Sequence, residues 1–267
     1  MALSNDEVVS RARSLLDHRF GGRPNPVPPE ADRLSDMTAA YAIQSAADAI
    51  LRTVHGYKPI GYKIAGTNPA SRAHLRITAP FHWRLYDKLT TTSPAALGDI
   101  PFLRVHEPEI AIQLGRDLDP ARAPFSAEQV AAATRVVLPA IEIIGTPFEP
   151  WAQAGAANLA SDNAAFGYWI IGAPVRDWSG IDLLNGAVTL TVNGEVKGTG
   201  KGRNVDGGAF GASAWLANAL ASRGYGLNAG DYITTGSVTP PIPVAPGQHV
   251  VADFGPLGRV ELRTSGA

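Results

Sequence analysis

The sequence predicts an α+β fold: a helical N-terminal region over residues 1–56, then a β-rich region over residues 57–267, the two also readable as one continuous domain. Three observations predict it. Apolar residues recur at helical spacing behind a capping-box pattern near the N-terminus. After Gly61 the chain breaks into short β-rich runs separated by Gly, Pro, Asn and Asp. Only two helical patterns interrupt those runs, without the regular alternation that a doubly wound parallel sheet requires.

Each element follows from local chemistry. Ser4 with Glu7 forms the first capping box, and Val8, Ala12, Leu15 and Leu16 give the helical stripe behind it. Gly21-Gly22 and the prolines at 24, 26, 28 and 29 stop that helix. A second helix is expected from about Asp36 to Val54, with Met37, Tyr41, Ala47, Ile50 and Leu51 near one face and Gly56 as its stop. The expected strands are 60–65, 103–114, 136–144, 168–171, 188–196, 232–235, 249–254 and 259–263. Asn193-Gly194 is a strong hairpin signal inside the fifth of them. The two later helices are expected after Ser126, which makes a second capping box with Gln129, and from Phe210 to Arg223.

Composition narrows the partners. The formal net charge of -1 gives no basic excess, which argues against nucleic acid or an anionic membrane as the partner and for a small ligand in a pocket. The absence of cysteine excludes disulfides, thiolate metal sites and a cysteine nucleophile. The first thirteen residues mix acids and bases with apolar residues, unlike a signal peptide, and no apolar run approaches the ~20 residues of a membrane helix. The expected compartment is the cytoplasm.

The most informative stretch is Arg104-Val105-His106-Glu107-Pro108-Glu109-Ile110-Ala111-Ile112. In a strand, alternate residues share a face, so Glu107 and Glu109 point the same way, roughly 6.5–7 Å apart along the backbone. Carboxylates so placed repel unless a cation or proton intervenes. His106 falls on the opposite, mainly apolar face and reads as a surface or packing histidine. Pro108 cannot donate a ladder hydrogen bond, which predicts an edge strand or a bulge. Glu142 sits alone in the apolar run Val136–Ile144, where an unpaired buried carboxylate is costly. A divalent cation shared by Glu107, Glu109 and Glu142 answers both problems. Three hard oxygen ligands without sulfur favour Mg²⁺ or Mn²⁺, with Ca²⁺ an alternative. Spacing alone leaves a second arrangement open, in which Glu107 and Glu109 lie on an exposed edge and Glu142 pairs with an arginine. Lys63, in a glycine-flanked strand, is open to two readings: an acid/base group, or a solvated, snorkelling side chain. Ser161-Asp162-Asn163 and Thr235-Gly236-Ser237 are polar turns that could bind a carboxylate, though turn chemistry accounts for them equally. Gly198–Gly202 lacks the residues of a phosphate loop, and no zinc-type His motif, nucleophile elbow or clear triad occurs.

Several segments together resemble one family. Gly61-Tyr62-Lys63-Ile64, His106-Glu107-Pro108-Glu109-Ile110-Ala111, Leu138-Pro139-Ala140-Ile141-Glu142-Ile143, Ala160-Ser161-Asp162-Asn163-Ala164, Asn193-Gly194-Glu195, Trp215-Leu216-Ala217-Asn218 and Gly230-Asp231 with Gly236-Ser237 occur in order. They are similar to the 2-keto-4-pentenoate hydratase and 4-oxalocrotonate decarboxylase branch of the fumarylacetoacetate hydrolase superfamily, over roughly residues 5–263. The resemblance implies a fumarylacetoacetate-hydrolase-like β-rich catalytic core, bound Mg²⁺ or Mn²⁺, a homo-oligomer, and a small 2-oxo or 2-hydroxy-dienoic acid as substrate. It implies Glu107, Glu109 and Glu142 as metal ligands, Lys63 as the active-site lysine, and Ser161, Asn163 and Ser237 near the substrate carboxylate. The sequence departs from the hydratase pattern at Thr78-Ala79, where an acidic residue is usual, and at Asp206-Gly207-Gly208-Ala209, where a Gly-His-Pro element is usual. Asp206 reads as a displaced acid or as an exposed turn residue. The expected activity is a metal-dependent hydratase. A decarboxylase or C–C hydrolase on a related 2-oxo acid is the first alternative, and a non-catalytic metal- or ligand-binding homologue the second.

Overall fold

A computed structural model describes residues 3–266; Met1, Ala2 and Ala267, at the outer ends of the two expected regions, lie outside the described residues. Helices α1 (Asn5–Phe20) and α2 (Met37–Thr53) open the chain. Ser4 caps α1 in a complete capping box with Glu7, and the Asp36 side chain accepts from the Thr38 N–H to cap α2. Their buried stripes, Ala12, Leu15 and Leu16 on one and Ala40, Ile43, Ala47 and Leu51 on the other, share a core with Phe81, Trp83, Tyr86, Phe148 and Leu159. The N-terminal helices therefore pack directly onto the β-rich region.

That region holds the two large sheets, and a short parallel pair, Asn25–Pro26 with Phe148–Glu149, ties it to the N-terminal region. The larger runs in the order Phe81–Tyr86, Pro59–Ala65, Tyr232–Ser237, Leu103–Leu114, Thr134–Gly145, Phe166–Ile171, Thr90–Thr92. The smaller, five-stranded sheet contains the hairpin Ala187–Val192 and Glu195–Lys201, then His249–Asp253, Arg259–Thr264 and Ala95–Leu97. The hairpin turns at Asn193-Gly194, with φ of 51° and 84°, the two-residue loop that dipeptide encodes. Ile110, Ile112, Ile141 and Ile143 of the large sheet meet Leu190, Val250, Val260 and Leu262 of the small one, with Leu216 and Leu220 of α6 (Gly208–Ala221) completing this core. α4 (Ala127–Ala133) packs on α6 and carries the second capping box, Ser126 with Gln129.

Among the elements missing from the sequence reading, three lie near the site. Phe81–Tyr86 is a strand buried on both faces, so it lacks the apolar/polar alternation that marks a half-exposed one. α3 (Pro69–Leu75), absent from the expected elements, begins at Asn68-Pro69, which supplies an Asn N-cap and a proline in the first turn. α5 (Ala156–Ser161), absent from the expected elements, runs into the expected Ser161-Asp162-Asn163 turn. Of the two expectations for Pro108, an edge strand or a bulge, the edge is not met, because Leu103–Leu114 is an interior strand paired on both sides. The irregularity belongs to its neighbour, whose register breaks between Thr234 and Ser237. The Pro108 carbonyl accepts from the Val238 N–H, so the donor that proline lacks falls where the neighbouring ladder is already interrupted.

Candidate metal centre and active site

Strand register assembles the carboxylates. Glu107 lies directly opposite Glu142, and Glu109 follows on the same face of its strand, next to Ala140 and Ser237. One carboxylate oxygen from each of Glu107, Glu109 and Glu142 lies within 4.8 Å of the others. Glu109 and Glu142 are buried and Glu107 is half-buried, which removes the exposed-edge arrangement. The arginine partner for Glu142 is also removed. Its Oε1 accepts from Lys63 Nζ at 2.5 Å, and both side chains are 1% exposed.

Lys63 is thus neither solvated nor snorkelling. The adjacent strand Tyr232–Ser237 pairs with Pro59–Ala65 in parallel and sets Thr234 beside Lys63. Close approach of these strands requires glycine at 61, where a Cβ would lie 1.9 Å from the Tyr232 carbonyl oxygen. Lys63 Nζ also donates to the Ala164 carbonyl at 2.9 Å. An ammonium has three donors, so one is left for the cavity that Lys63 lines.

Glu109 is held from the opposite side. Its Oε2 accepts from Thr234 Oγ1 and from the Gly236 N–H at 2.9 Å. Gly236 has φ of 104°, and a Cβ there would sit 1.8 Å from Thr67 Oγ1. The Thr235-Gly236-Ser237 segment therefore orients a carboxylate of the protein. Two buried acceptors are left without a hydrogen-bond donor, Glu109 Oε1 and Glu142 Oε2. Buried polar atoms without partners are costly. Three carboxylates against one ammonium leave two negative charges in excess, the charge that a divalent cation brings. The hard oxygen donors, the orphaned oxygens and the charge excess all fit such a cation. Among the described residues, these three form the sole cluster of this kind.

Burial foremost, then the Glu142 carboxylate, pushes the Glu107 carboxyl up to about 7, with Lys63 opposing. Burial, then Glu142 and Glu107, raises Glu109 well above the carboxylate range, against the pull of its two donors.

A cavity of about 740 Å³ opens above the carboxylates. Lys63, Glu107, Ser237 and Gly236 form its polar end. Ser237 donates to the Thr239 carbonyl at 2.8 Å, so a contact with substrate requires that bond to exchange. Ser161 and Asn163 fall outside the lining: Ser161 Oγ donates to the Asn158 carbonyl, and Asn163 is buried with its Oδ1 unpartnered. What this segment contributes is backbone. Asn163, Ala164 and Ala165 all have positive φ, 54°, 50° and 55°, a conformation that costs a non-glycine residue roughly 1–2 kcal/mol. The left-handed turn brings the Ala164 carbonyl to Lys63. Asp162 holds the turn, accepting from Arg19 of α1 at 3.1 Å and from Thr146 Oγ1 at 2.6 Å. Composition gave no sign of the Arg19–Asp162 pair, since the partners are remote in the chain. Asn163 was the visible signal for a left-handed residue; the two alanines gave none.

Elsewhere, His106 is buried on the far face with Nε2 at 3.0 Å from Gln248 Oε1, consistent with packing. Thr78 and Ala79 are exposed in the turn after α3. Asp206 pairs with Arg72 at 2.6 Å and lies outside the cavity lining.

The fold and the three clustered carboxylates fit an α+β enzyme that works with a divalent cation. Residues 63–264 match the fumarylacetoacetate (FAA) hydrolase C-terminal family. A 2-keto-4-pentenoate hydratase of Paraburkholderia phymatum is 30% identical over 98% of this chain and 100% of its own length. A 4-oxalocrotonate decarboxylase of a Pseudomonas species is 28% identical over 98% of each. The solved 4-oxalocrotonate decarboxylase of Pseudomonas putida G7, complexed with magnesium and adipate, superposes with a TM-score of 0.91 at 25% identity, covering 98% of this chain and 99% of that one. The chain belongs to the fumarylacetoacetate hydrolase family.

Proposed function

We propose that this protein is a metal-dependent lyase that hydrates a small 2-hydroxy-dienoate, or its 2-oxo-enoate tautomer. The observation that carries the reading is the convergence of Glu107, Glu109 and Glu142, with two oxygens unpartnered, beside a buried Lys63 at the floor of a cavity. Glu107, Glu109 and Glu142 would hold Mg²⁺ or Mn²⁺. When bound, the cation supplies Lewis-acid stabilisation for negative charge developing on the 2-oxo oxygen. Lys63 moves a proton to or from the carbon chain during dienol-to-ketone tautomerisation, with Glu142 and the Ala164 carbonyl fixing its Nζ. Ser237, which lines the cavity along with Thr67, Ser71 and Thr239, would meet the substrate carboxylate; Ser161 and Asn163 act from behind by shaping the turn that aims Ala164. Among the described residues no helix is long and apolar enough to cross a membrane. A cytoplasmic homo-oligomer completes the proposal, and light scattering on the purified protein tests the subunit number.

One observation favours a second reading. The sole carboxylate lining the cavity is Glu107, a ligand, so no separate acid is at hand to activate water. Decarboxylation or C–C cleavage of a related 2-oxo acid uses the same enolate stabilisation. One incubation separates the readings: purified protein with EDTA, Mg²⁺ or Mn²⁺, and a panel of 2-hydroxy-dienoic and 2-oxo acids, with products weighed by mass spectrometry. A gain of water supports the hydratase. Loss of carbon dioxide identifies a decarboxylase, and two fragments a hydrolase. Tight metal binding without turnover across the panel would replace all three with a non-catalytic homologue.

A further inference from the structure

The cavity continues well beyond the reacting groups, and strand register gives its direction. Proceeding from Glu107 to Val105, and from Glu142 to Ile144, reaches a second cross-strand pair on the same face, Val105 opposite Ile144. On the lysine strand the same direction leads from Lys63 to Ala65, which is opposite Phe81. Val105, Ile144, Ala65 and Phe81 all line the cavity. Strand geometry sets Val105 and Ile144 about 6.5–7 Å past Glu107 and Glu142, with Ala65 and Phe81 alongside. Trp151 and Leu159 also line the cavity, extending its apolar wall. Its volume of about 740 Å³ lies in the upper part of the roughly 300–1,000 Å³ range of sites that enclose drug-sized molecules, well beyond what a pentenoate skeleton fills. Among the lining residues, Lys63 is the sole lysine, already committed to Glu142 and Ala164, there is no arginine, and the one histidine, His74 of α3, is exposed to solvent. A carboxylate carried along Val105, Ile144 and Trp151 would lose water without gaining a lysine or arginine partner.

We infer that the substrate of this site bears an extended apolar tail, alkyl or aryl, and no second carboxylate. The inference rests on the reading of the site as one for 2-oxo acids. The tail runs over Val105 and Ile144 toward Trp151, while the acid end stays at Lys63, Ser237 and the glutamates.

Saturated 2-oxo acids test this without turnover, by calorimetric titration into the Mn²⁺-loaded protein. The dissociation constant falls about fourfold for each added methylene from 2-oxobutanoate through 2-oxohexanoate to 2-oxo-octanoate. 2-Oxoadipate, matched in length to 2-oxohexanoate, binds at least about tenfold more weakly. A series that binds with flat affinity, or a preference for 2-oxoadipate, overturns the inference and leaves the proposed reaction standing. Failure of every 2-oxo acid to bind overturns the reaction and the inference together. Trp151→Ala adds a second readout. It weakens 2-oxo-octanoate about tenfold and 2-oxobutanoate by less than about threefold; equal losses on both refute the tail pocket.

Discussion

Lys63→Met isolates the electrostatics of the site. The substitution keeps the length and apolar stem of the side chain but removes its charge. Lys63 and Glu142 are each 1% exposed and 2.5 Å apart. Deleting one partner of a buried pair costs about 3–5 kcal/mol, because the other is left uncompensated. Here the remainder is three carboxylates within 4.8 Å with no cationic side chain bonded to them. At about 2–4 °C per kcal/mol for a chain approaching this size, the metal-free variant melts roughly 6–20 °C below the metal-free parent at pH 8. At one fixed Mn²⁺ concentration the cation recovers more stability in the variant than in the parent, because the larger charge excess lowers the variant's dissociation constant; the recovery is about 2.7 kcal/mol where the concentration is 100 times that constant. Differential scanning fluorimetry with EDTA and with Mn²⁺ measures both terms, and Glu142→Gln on the same background closes a double-mutant cycle. A loss under about 1 kcal/mol, equal with and without metal, would refute the buried pair as the origin of the site's stability.

Further outcomes follow from the same geometry. Glu142→Gln lowers Mn²⁺ affinity on the order of 100-fold or more by calorimetry, since it removes a charged ligand and releases Lys63. The Glu107 carboxyl is raised to about 7, above its unfolded value. Its protonation therefore supports the metal-free fold fully below the unfolded carboxylate range, and that support is lost as pH rises through 7. Because a ligand must be deprotonated, Mn²⁺ affinity should fall as pH drops from 8 to 6, and a flat profile would contradict the assignment. Gly236→Ala forces a Cβ into Thr67 at φ of 104°, shifts the N–H that holds Glu109, and should weaken Mn²⁺ binding by roughly tenfold while lowering the melting temperature. Arg19→Met leaves buried Asp162 unpaired and should cost about 3–5 kcal/mol by urea titration, although Arg19 lies on the first helix and outside the cavity lining.

The three clustered glutamates were legible because each carries a signal within a few residues. Period-two alternation puts Glu107 and Glu109 on one face, and a lone acid in an apolar run marks Glu142. Their convergence depends on register, which places Glu107 opposite Glu142 across 35 residues of chain and which no local pattern states. The role of Lys63 was open for the same reason, since its partner lies 79 residues away. At Pro108 the edge expectation failed and the irregularity fell on the neighbouring strand, because proline's missing donor can be accommodated by a break in the partner as well as by an edge. Ser161 and Asn163 were visible as turn formers, but their effect passes through the backbone of Ala164 and Ala165, two residues with no left-handed preference of their own.

The arrangement separates what the site does from what it accepts. Every group that touches the carboxylate cluster comes from paired strands or from a turn locked by Arg19 and Asp162, so its atoms are held by ladders and buried ion pairs. The distal wall includes residues outside the large sheet, such as Trp151, and the short helix α3 closes another side of the cavity. Changing these residues alters the shape and polarity of the far end without disturbing the register that brings three glutamates together. A family built this way can vary its substrate tail while the enolate-stabilising end stays fixed. By that logic the apolar far end identifies this chain's substrate more closely than the three glutamates do.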